Sequence, residues 1–306
     1  MHDLIIIGGG PAGIAAGVYA ARKKLKTLIL TESLDGQSSV SPEIQNWIGE
    51  ISISGADLAK KLELHLRSYE STDFIVKTKE KVFSITKKEN FFGVISSDKE
   101  YQTKTVLIAS GANRRKLTIK GAVEFEQKGV TYCASCDGPM FAGQDVAVIG
   151  GGNAGFGSAA QLLAYCQNVT LLETSSNFKA EKIIVDKLLA DPKFKALSNV
   201  ELIEIKGDKF ASGLVYKNKD TSEINELPVT GIFVEIGFIP NTETFQNLVE
   251  INSCQAIKID HLTGKTSQEG IWAAGDCTDI LYHQNNIAAG DAVKAVEDIY
   301  NYLKSA

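Results

Sequence analysis

An α/β fold with two Rossmann-like nucleotide-binding domains is what this 306-residue sequence predicts, on three observations. Two segments, "DLIIIGGGPAGIAAGVYAARK" from Asp3 and "DVAVIGGGNAGFGSAAQLLAY" from Asp145, share one pattern: an apolar run, a Gly-x-Gly-x-x-Gly turn and a helix rich in small residues. Elsewhere, β-rich runs alternate with helical stretches, which argues α/β architecture. The length, with 44% hydrophobic and 23% charged residues, suits two domains with full cores and excludes disorder and collagen-like repeats.

In the first segment, Gly8 allows the tight turn, Gly10 lets the backbone approach a pyrophosphate, and Gly13 permits close packing of helix on strand. The helix N-terminus supplies the positive end of its dipole. Gly150, Gly152 and Gly155, with Asn153 between them, repeat the arrangement. One such turn is weak evidence, but two in strand-turn-helix context predict two bound nucleotides. Further strands are expected at 27–31, 105–109, 169–173, 231–236 and 270–273, with helices near 55–68 and 181–190. A last helix, about 287–303, places Ala289, Val293, Val296, Ile299, Tyr300 and Leu303 on one face.

A net charge of -5 with dispersed lysines offers no surface for nucleic acid. No run approaches the roughly 18 apolar residues a membrane span needs. The opening Met-His-Asp followed by Leu-Ile-Ile-Ile and three glycines is too short an apolar run for a signal peptide, so a cytoplasmic location is expected. In that reducing compartment five cysteines do not read as a disulfide framework, and a C-x-x-C pair is redox-active or metal-binding.

That pair is Cys133-Ala-Ser-Cys136, followed by Asp137. Its spacing is that of a redox couple whose thiolates a following helix N-terminus can stabilise. The rival is half a zinc site, which needs four N or S ligands. Cys166, Cys254 and Cys277 are isolated and no His lies near, so no metal is expected. Those three cysteines read as small buried residues, and Trp47 and Trp272 as packing residues. Read alone, Asp137 before Gly138-Pro139 is a turn residue.

The motifs continue in order: "IQNWIG" at 44–49, "LIASGA" at 107–112, "CASCDG" at 133–138, "GIFVEIGFIPNT" at 231–242 and "AAGDCTD" at 273–279. Together with both glycine turns they closely resemble the low-molecular-weight thioredoxin reductases and the reductase portion of the flavoprotein subunit of alkyl hydroperoxide reductase. The resemblance implies a discontinuous FAD domain, 1–115 with 243–306, and a pyridine-nucleotide domain, 116–242, that carries the dithiol. It also implies a homodimer whose domains rotate to present the dithiol alternately to flavin and protein substrate.

By the same resemblance Cys136 meets the flavin, Cys133 attacks the substrate disulfide, and Asp137 exchanges protons with the thiols. Gly8, Gly10 and Gly13 hold the FAD pyrophosphate. The position facing the adenine ribose falls on Thr31, with Glu32 beside it. Gln37, Asn46 and Asp276 match flavin contacts, and Gln284 and Ala288 match positions near the isoalloxazine. The sequence departs from the family pattern at His283, where Lys or Arg is usual, and at Asn285 and Asn286, where apolar residues are usual.

The nucleotide end departs further. Where thioredoxin reductases carry His-Arg-Arg-x-x-x-Arg, this chain has Glu173-Thr174-Ser175 with Lys179 last. Glu173 suits the free ribose hydroxyls of NADH and repels a 2′-phosphate, so NADH is expected over NADPH. Gly157 replaces a glutamate that the family places near the nicotinamide, which keeps ferredoxin or another donor as an alternative. A flavin-bound redox sensor without turnover is the alternative of another class. The expected partner is thioredoxin or a thioredoxin-like protein.

Overall fold

The computed structural model describes residues 1–41, 43–97 and 99–305, and the elements below are those of the described residues. The chain forms two compact units: Met1–Val40, Trp47–Asn113 and Ile239–Ala306 in the first, Ser41–Asn46 and Arg114–Phe238 in the second.

In the first unit, β1 (His2–Ile7), α1 (Pro11–Arg22) and β2 (Thr27–Leu30) form a parallel β-α-β turn, with α2 (Gly55–Arg67) leading to β3 (Phe74–Lys77). The hairpin β4 (Val82–Lys87) and β5 (Phe92–Ser96) precedes the long β6 (Lys99–Ile108). The order is β3-β2-β1-β6-β5-β4, and β17 (Ile271–Ala273) also pairs with β6. The first half of β6 runs antiparallel to β5, while its second half runs parallel to β1 and β17. Leu4, Ile5 and Ile6 are fully buried because both faces of a parallel sheet are covered. One face packs on α1, α2 and α6 (Asn285–Ser305); the other is closed by the β4–β5 hairpin and by Phe245, Val249 and Ile257.

In the second unit, β8 (Val130–Thr131), β9 (Asp145–Ile149), β10 (Asn168–Leu172), β11 (Phe194–Leu197) and β15 (Gly231–Val234) make a parallel sheet of order β11-β10-β9-β15-β8. The helices α3 (Ala134–Asp137), α4 (Asn153–Leu162) and α5 (Lys182–Leu189) belong to this unit, and α4 and α5 pack on one face of the sheet. The other face is covered by an antiparallel sheet of β12 (Val200–Gly207), β13 (Ala211–Asn218) and β14 (Ile224–Leu227). The connecting strands β7 (Ala112–Arg114) and β16 (Phe238–Pro240) pair with each other.

The α/β class and the two Rossmann-like turns are as the sequence reading has them. Three details differ. The last helix starts at Asn285, and its buried seam is Ala288, Ala292, Ala295, Val296 and Ile299. Ala289, Val293, Tyr300 and Leu303 are only half-buried. The reason is the neighbour: α1 presents its own Ala12, Ala16 and Ala20, and close packing of two helices selects small residues on both. Cys254 is exposed, in a turn where its N–H donates to Asn252 Oδ1, whereas Cys166 and Cys277 are buried as expected. Trp272 is fully buried and donates from its indole to Asp298, while Trp47 is half-buried.

Candidate active site

The dithiol is delivered by β8, an edge strand held in register on β15 by the Ile232–Val130 and Phe233–Thr131 pairs. Two residues on, Cys133 is the N-cap of α3, and its Sγ accepts from the Cys136 N–H at 3.2 Å. The two cysteines are joined as a disulfide with their Cα atoms 5.3 Å apart. Ser135 donates to Gln161 and ties this short turn to α4.

Asp137 closes the turn and is 6% exposed. Thr131 donates from its hydroxyl to Oδ2, while Oδ1 is buried without a hydrogen-bond partner among the described residues. Burial lifts the carboxyl above its ordinary range, against the pull of the Thr131 hydroxyl, the Arg114 guanidinium and Ser41. A buried carboxyl poised to hold a proton beside a dithiol is suited to proton exchange with sulfur.

The second glycine turn lies at the carboxyl end of β9. Gly150 has φ +121°, and a Cβ there would come 2.3 Å from the Glu235 carbonyl oxygen. A Cβ on Gly155 would come 1.8 Å from the Gly150 oxygen, so both glycines are required by packing. Gly152 is different: its φ of -89° suits any residue, and a Cβ has nothing within 4 Å. Nothing in the protein itself requires glycine there, so the opening suits a ligand pressed against the helix N-terminus. Asn153 accepts the Glu181 N–H and fastens α5 to this turn.

Glu173, one residue past β10, is 8% exposed. Oε2 accepts the Gly151 N–H at 2.5 Å and Oε1 accepts the Ser175 N–H at 2.7 Å. Burial raises its pKa, but the N–H groups of Ser175 and Gly151, the Ser175 hydroxyl and Lys179 outweigh it and hold the carboxylate below the usual range. Glu173 is an ionised carboxylate pinned at the rim of the glycine turn. Gly157 leaves open space on α4, and beside it Ser158 donates to Glu235 at 2.7 Å. Burial lifts the Glu235 carboxyl, opposed by Ser158 and Arg114.

The first unit repeats the logic. Gly8 has φ +115° with its Cβ direction blocked by the Ala109 carbonyl, and Gly13 abuts the Gly8 oxygen, yet a Cβ at Gly10 meets nothing within 4 Å. Around that opening the chain gathers distant residues. A Cβ on Gly36 would touch Pro11 and Gly10, and one on Gly275 would touch Ala12 and Ala288. Ser38, in the helical turn Gln37–Val40, donates to Asn285 at the start of α6. Asp276 Oδ1 is buried without a hydrogen-bond partner among the described residues, 3.4 Å from Nδ1 of His283. Gln284 supplies the carbonyl that accepts the Ala288 N–H. An open glycine at the helix N-terminus and a buried carboxylate oxygen that accepts no hydrogen bond among the described residues fit FAD, whose phosphates suit the first and whose hydroxyls suit the second.

Two residues stand apart. Thr31 is buried with its hydroxyl donated to the Ser33 carbonyl, and Glu32 is exposed, 3.7 Å from Lys81. Asn46 is exposed and falls in the second compact unit rather than the first.

The pyridine nucleotide-disulphide oxidoreductase family model matches residues 2–297. The chain belongs to this family. Within it, the chain is 37% identical to the NADH dehydrogenase of Bacillus subtilis over 98% of its own length, and 35% identical to an alkyl hydroperoxide reductase component of Escherichia coli over 99%. It spans 58% of the length of each of these relatives. The thioredoxin reductase of Streptococcus pyogenes superposes with a TM-score of 0.90 at 32% identity, covering 100% of this chain and 99% of that one. The thioredoxin reductase of Giardia duodenalis gives 0.91 at 30%, covering 99% of both chains. FAD and a pyridine nucleotide are the cofactors of this family.

Sequence reasoning passed over Thr131, Arg114, Ser158 and Glu235. Glu235 alone left a signal: a carboxyl one residue past a strand at the point where strand order reverses, which is where open α/β sheets bind ligands.

Proposed function

We propose that the protein is an FAD-dependent disulfide oxidoreductase that takes electrons from NADH in preference to NADPH and passes them through Cys133 and Cys136 to the disulfide of thioredoxin or a thioredoxin-like protein. The observation that carries this reading is the Cys133–Cys136 disulfide followed in the same turn by the buried Asp137, in the same compact unit as the Gly150 turn. In this reading residues 1–115 and 243–306 hold FAD, through Gly8, Gly10, Gly13, Thr31, Glu32, Gln37, Asn46, Asp276, Gln284 and Ala288. Residues 116–242 hold the nucleotide, through Gly150, Gly152, Asn153, Gly155 and Glu173. When bound, FAD supplies the two-electron relay between nucleotide and dithiol.

The chain's own part is thiol chemistry. The Cys133 thiolate attacks one sulfur of the substrate disulfide, and the sulfur released takes the proton of Asp137. Cys136 then yields its proton to the Asp137 carboxylate and attacks Cys133. The second substrate sulfur leaves with that proton as the enzyme disulfide closes, so two electrons and two protons pass to the substrate. The ionised Glu173 supports NADH, as does the name of the Bacillus subtilis relative.

The test is anaerobic stopped-flow reduction of the flavin by NADH, NADPH and reduced ferredoxin, followed by transfer to oxidised thioredoxin. NADH should reduce fastest, and thioredoxin should then reoxidise the enzyme. Faster reduction by NADPH refutes the preference. The open space at Gly157 favours one second reading, a ferredoxin-type donor, which negligible reduction by either nucleotide would select.

A further inference from the structure

Thr131 ends β8 in a fixed position: it is 4% exposed and registered on Phe233 of β15. A hydroxyl has one proton to give and two lone pairs. Here the proton goes to Oδ2 of Asp137, and the Cys133 N–H reaches the hydroxyl oxygen at 3.4 Å. One side chain therefore connects the backbone of the first sulfur residue to the carboxyl that closes the dithiol turn.

We infer that Thr131 is a positioning residue for the proton transfers of the dithiol: it makes Oδ2 of Asp137 the accepting oxygen and leaves Oδ1 as the atom that carries the moving proton. This rests on the disulfide-reduction reading proposed above. A carboxylic acid has one proton and two oxygens, and without a fixed donor nothing decides which oxygen holds it. Thr131 has a single proton and has committed it to Oδ2. Oδ1 is buried with no hydrogen-bond partner among the described residues, an arrangement that costs less with the carboxyl neutral than ionised, and Oδ2 is already occupied by Thr131.

The groups bearing on Asp137 are few. Arg114, at the end of β7, is the charged one, and its guanidinium also lies over the Phe238 ring with 5.0 Å to the centroid. Ser41 adds a hydroxyl, which donates to the Glu43 carbonyl and has the smallest influence on Asp137, and the disulfide lies within the same turn. Burial is the larger influence and lifts the carboxyl, while the Thr131 hydrogen bond favours the ionised form. Removing the hydroxyl should therefore lift it further and leave its proton unplaced.

The test uses full-length flavoprotein reduced anaerobically with dithionite, so that it is independent of the natural electron donor. Oxidised thioredoxin is one probe, because its leaving thiolates take up protons. The aromatic disulfide DTNB is the other, since its leaving thiolate is stable without one. With thioredoxin, Thr131→Val should lower the plateau rate about tenfold. It should also move the alkaline limb of the pH profile up by about one pH unit, the effect of losing one hydrogen bond to a charged group. DTNB reduction should be unchanged, and Thr131→Ser should restore both features. A valine variant with wild-type plateau and midpoint overturns the inference and leaves the proposed function standing. Equal loss with both probes also overturns it, since the role is then structural. If reduced wild type transfers electrons to neither probe, the proposed function falls and this inference with it.

Discussion

Glu173→Gln tests the nucleotide preference at its source. Glu173 gives one carboxylate oxygen to the Gly151 N–H and the other to the Ser175 N–H, so its charge cannot swing away from a bound ribose. A 2′-phosphate of about -1.5 charges held roughly 5 Å from a carboxylate is repelled by about 1 kcal/mol in water and about 5 kcal/mol at an effective dielectric of about 20. Glu173 is 8% exposed but sits at the rim of the turn, which puts the pair between the two limits. The repulsion is then about 2 to 4 kcal/mol, or roughly 30- to 1,000-fold against NADPH. Glutamine removes the charge and keeps one acceptor oxygen. NADH should weaken about tenfold from loss of charge-assisted hydrogen bonding, while NADPH improves by the repulsion removed. The assay is the second-order rate of flavin reduction by each nucleotide, with flavin content and melting temperature as checks on folding. Glutamine leaves one buried N–H short of an acceptor, which costs about 1 to 3 kcal/mol. Arginine is the poorer probe because it strips both N–H groups at once. A NADH-to-NADPH ratio that stays within about threefold of wild type would refute the reasoning.

Asp137→Asn should raise stability while abolishing efficient thioredoxin reduction. Its folded pKa is lifted by burial, so below the unfolded value of about 4 both states are protonated and no stability depends on it. As pH rises to the folded pKa the native carboxyl must ionise where burial disfavours it, and stability is lost and stays lost above. Urea unfolding should find the variant more stable than wild type at pH 8 and similar at pH 4; no gain at pH 8 would contradict this. Gly10→Ala and Gly152→Ala should both fold, because neither Cβ meets protein, yet the first should lose FAD and the second should weaken NADH with FAD retained. Gly13→Ala should destabilise the fold, since its Cβ would lie 2.0 Å from the Gly8 oxygen; melting curves and bound-flavin ratios separate the three. Cys133→Ser and Cys136→Ser should each lose thioredoxin reduction while keeping flavin reduction by NADH, and turnover by either would remove the dithiol from the relay.

Features written in short stretches of chain were legible from the amino acids alone. A Gly-x-Gly-x-x-Gly turn depends on the strand before it and the helix after it, so Gly8 and Gly13, like Gly150 and Gly155, could be assigned before any contact was known. Cys133 and Cys136 form their disulfide within four consecutive residues, and their spacing was equally readable. The rest emerged only in the folded chain, because it depends on what distant segments bring. The seam of α6 is set by the alanines of α1, at the other end of the sequence, and the exposure of Cys254 is decided by where its turn lies in the folded chain. The hairpin β4–β5 and the sheet β12–β14 cover sheet faces that no local pattern announces. The chemistry divides the same way. Asp137 is named by its neighbours in sequence, but its carboxyl is lifted above the ordinary range by burial under residues from other elements, and the hydroxyl that bonds it belongs to the preceding strand, whose place is set by β15. Local backbone geometry is encoded locally, whereas a side chain's dielectric surroundings are the sum of everything folded around it.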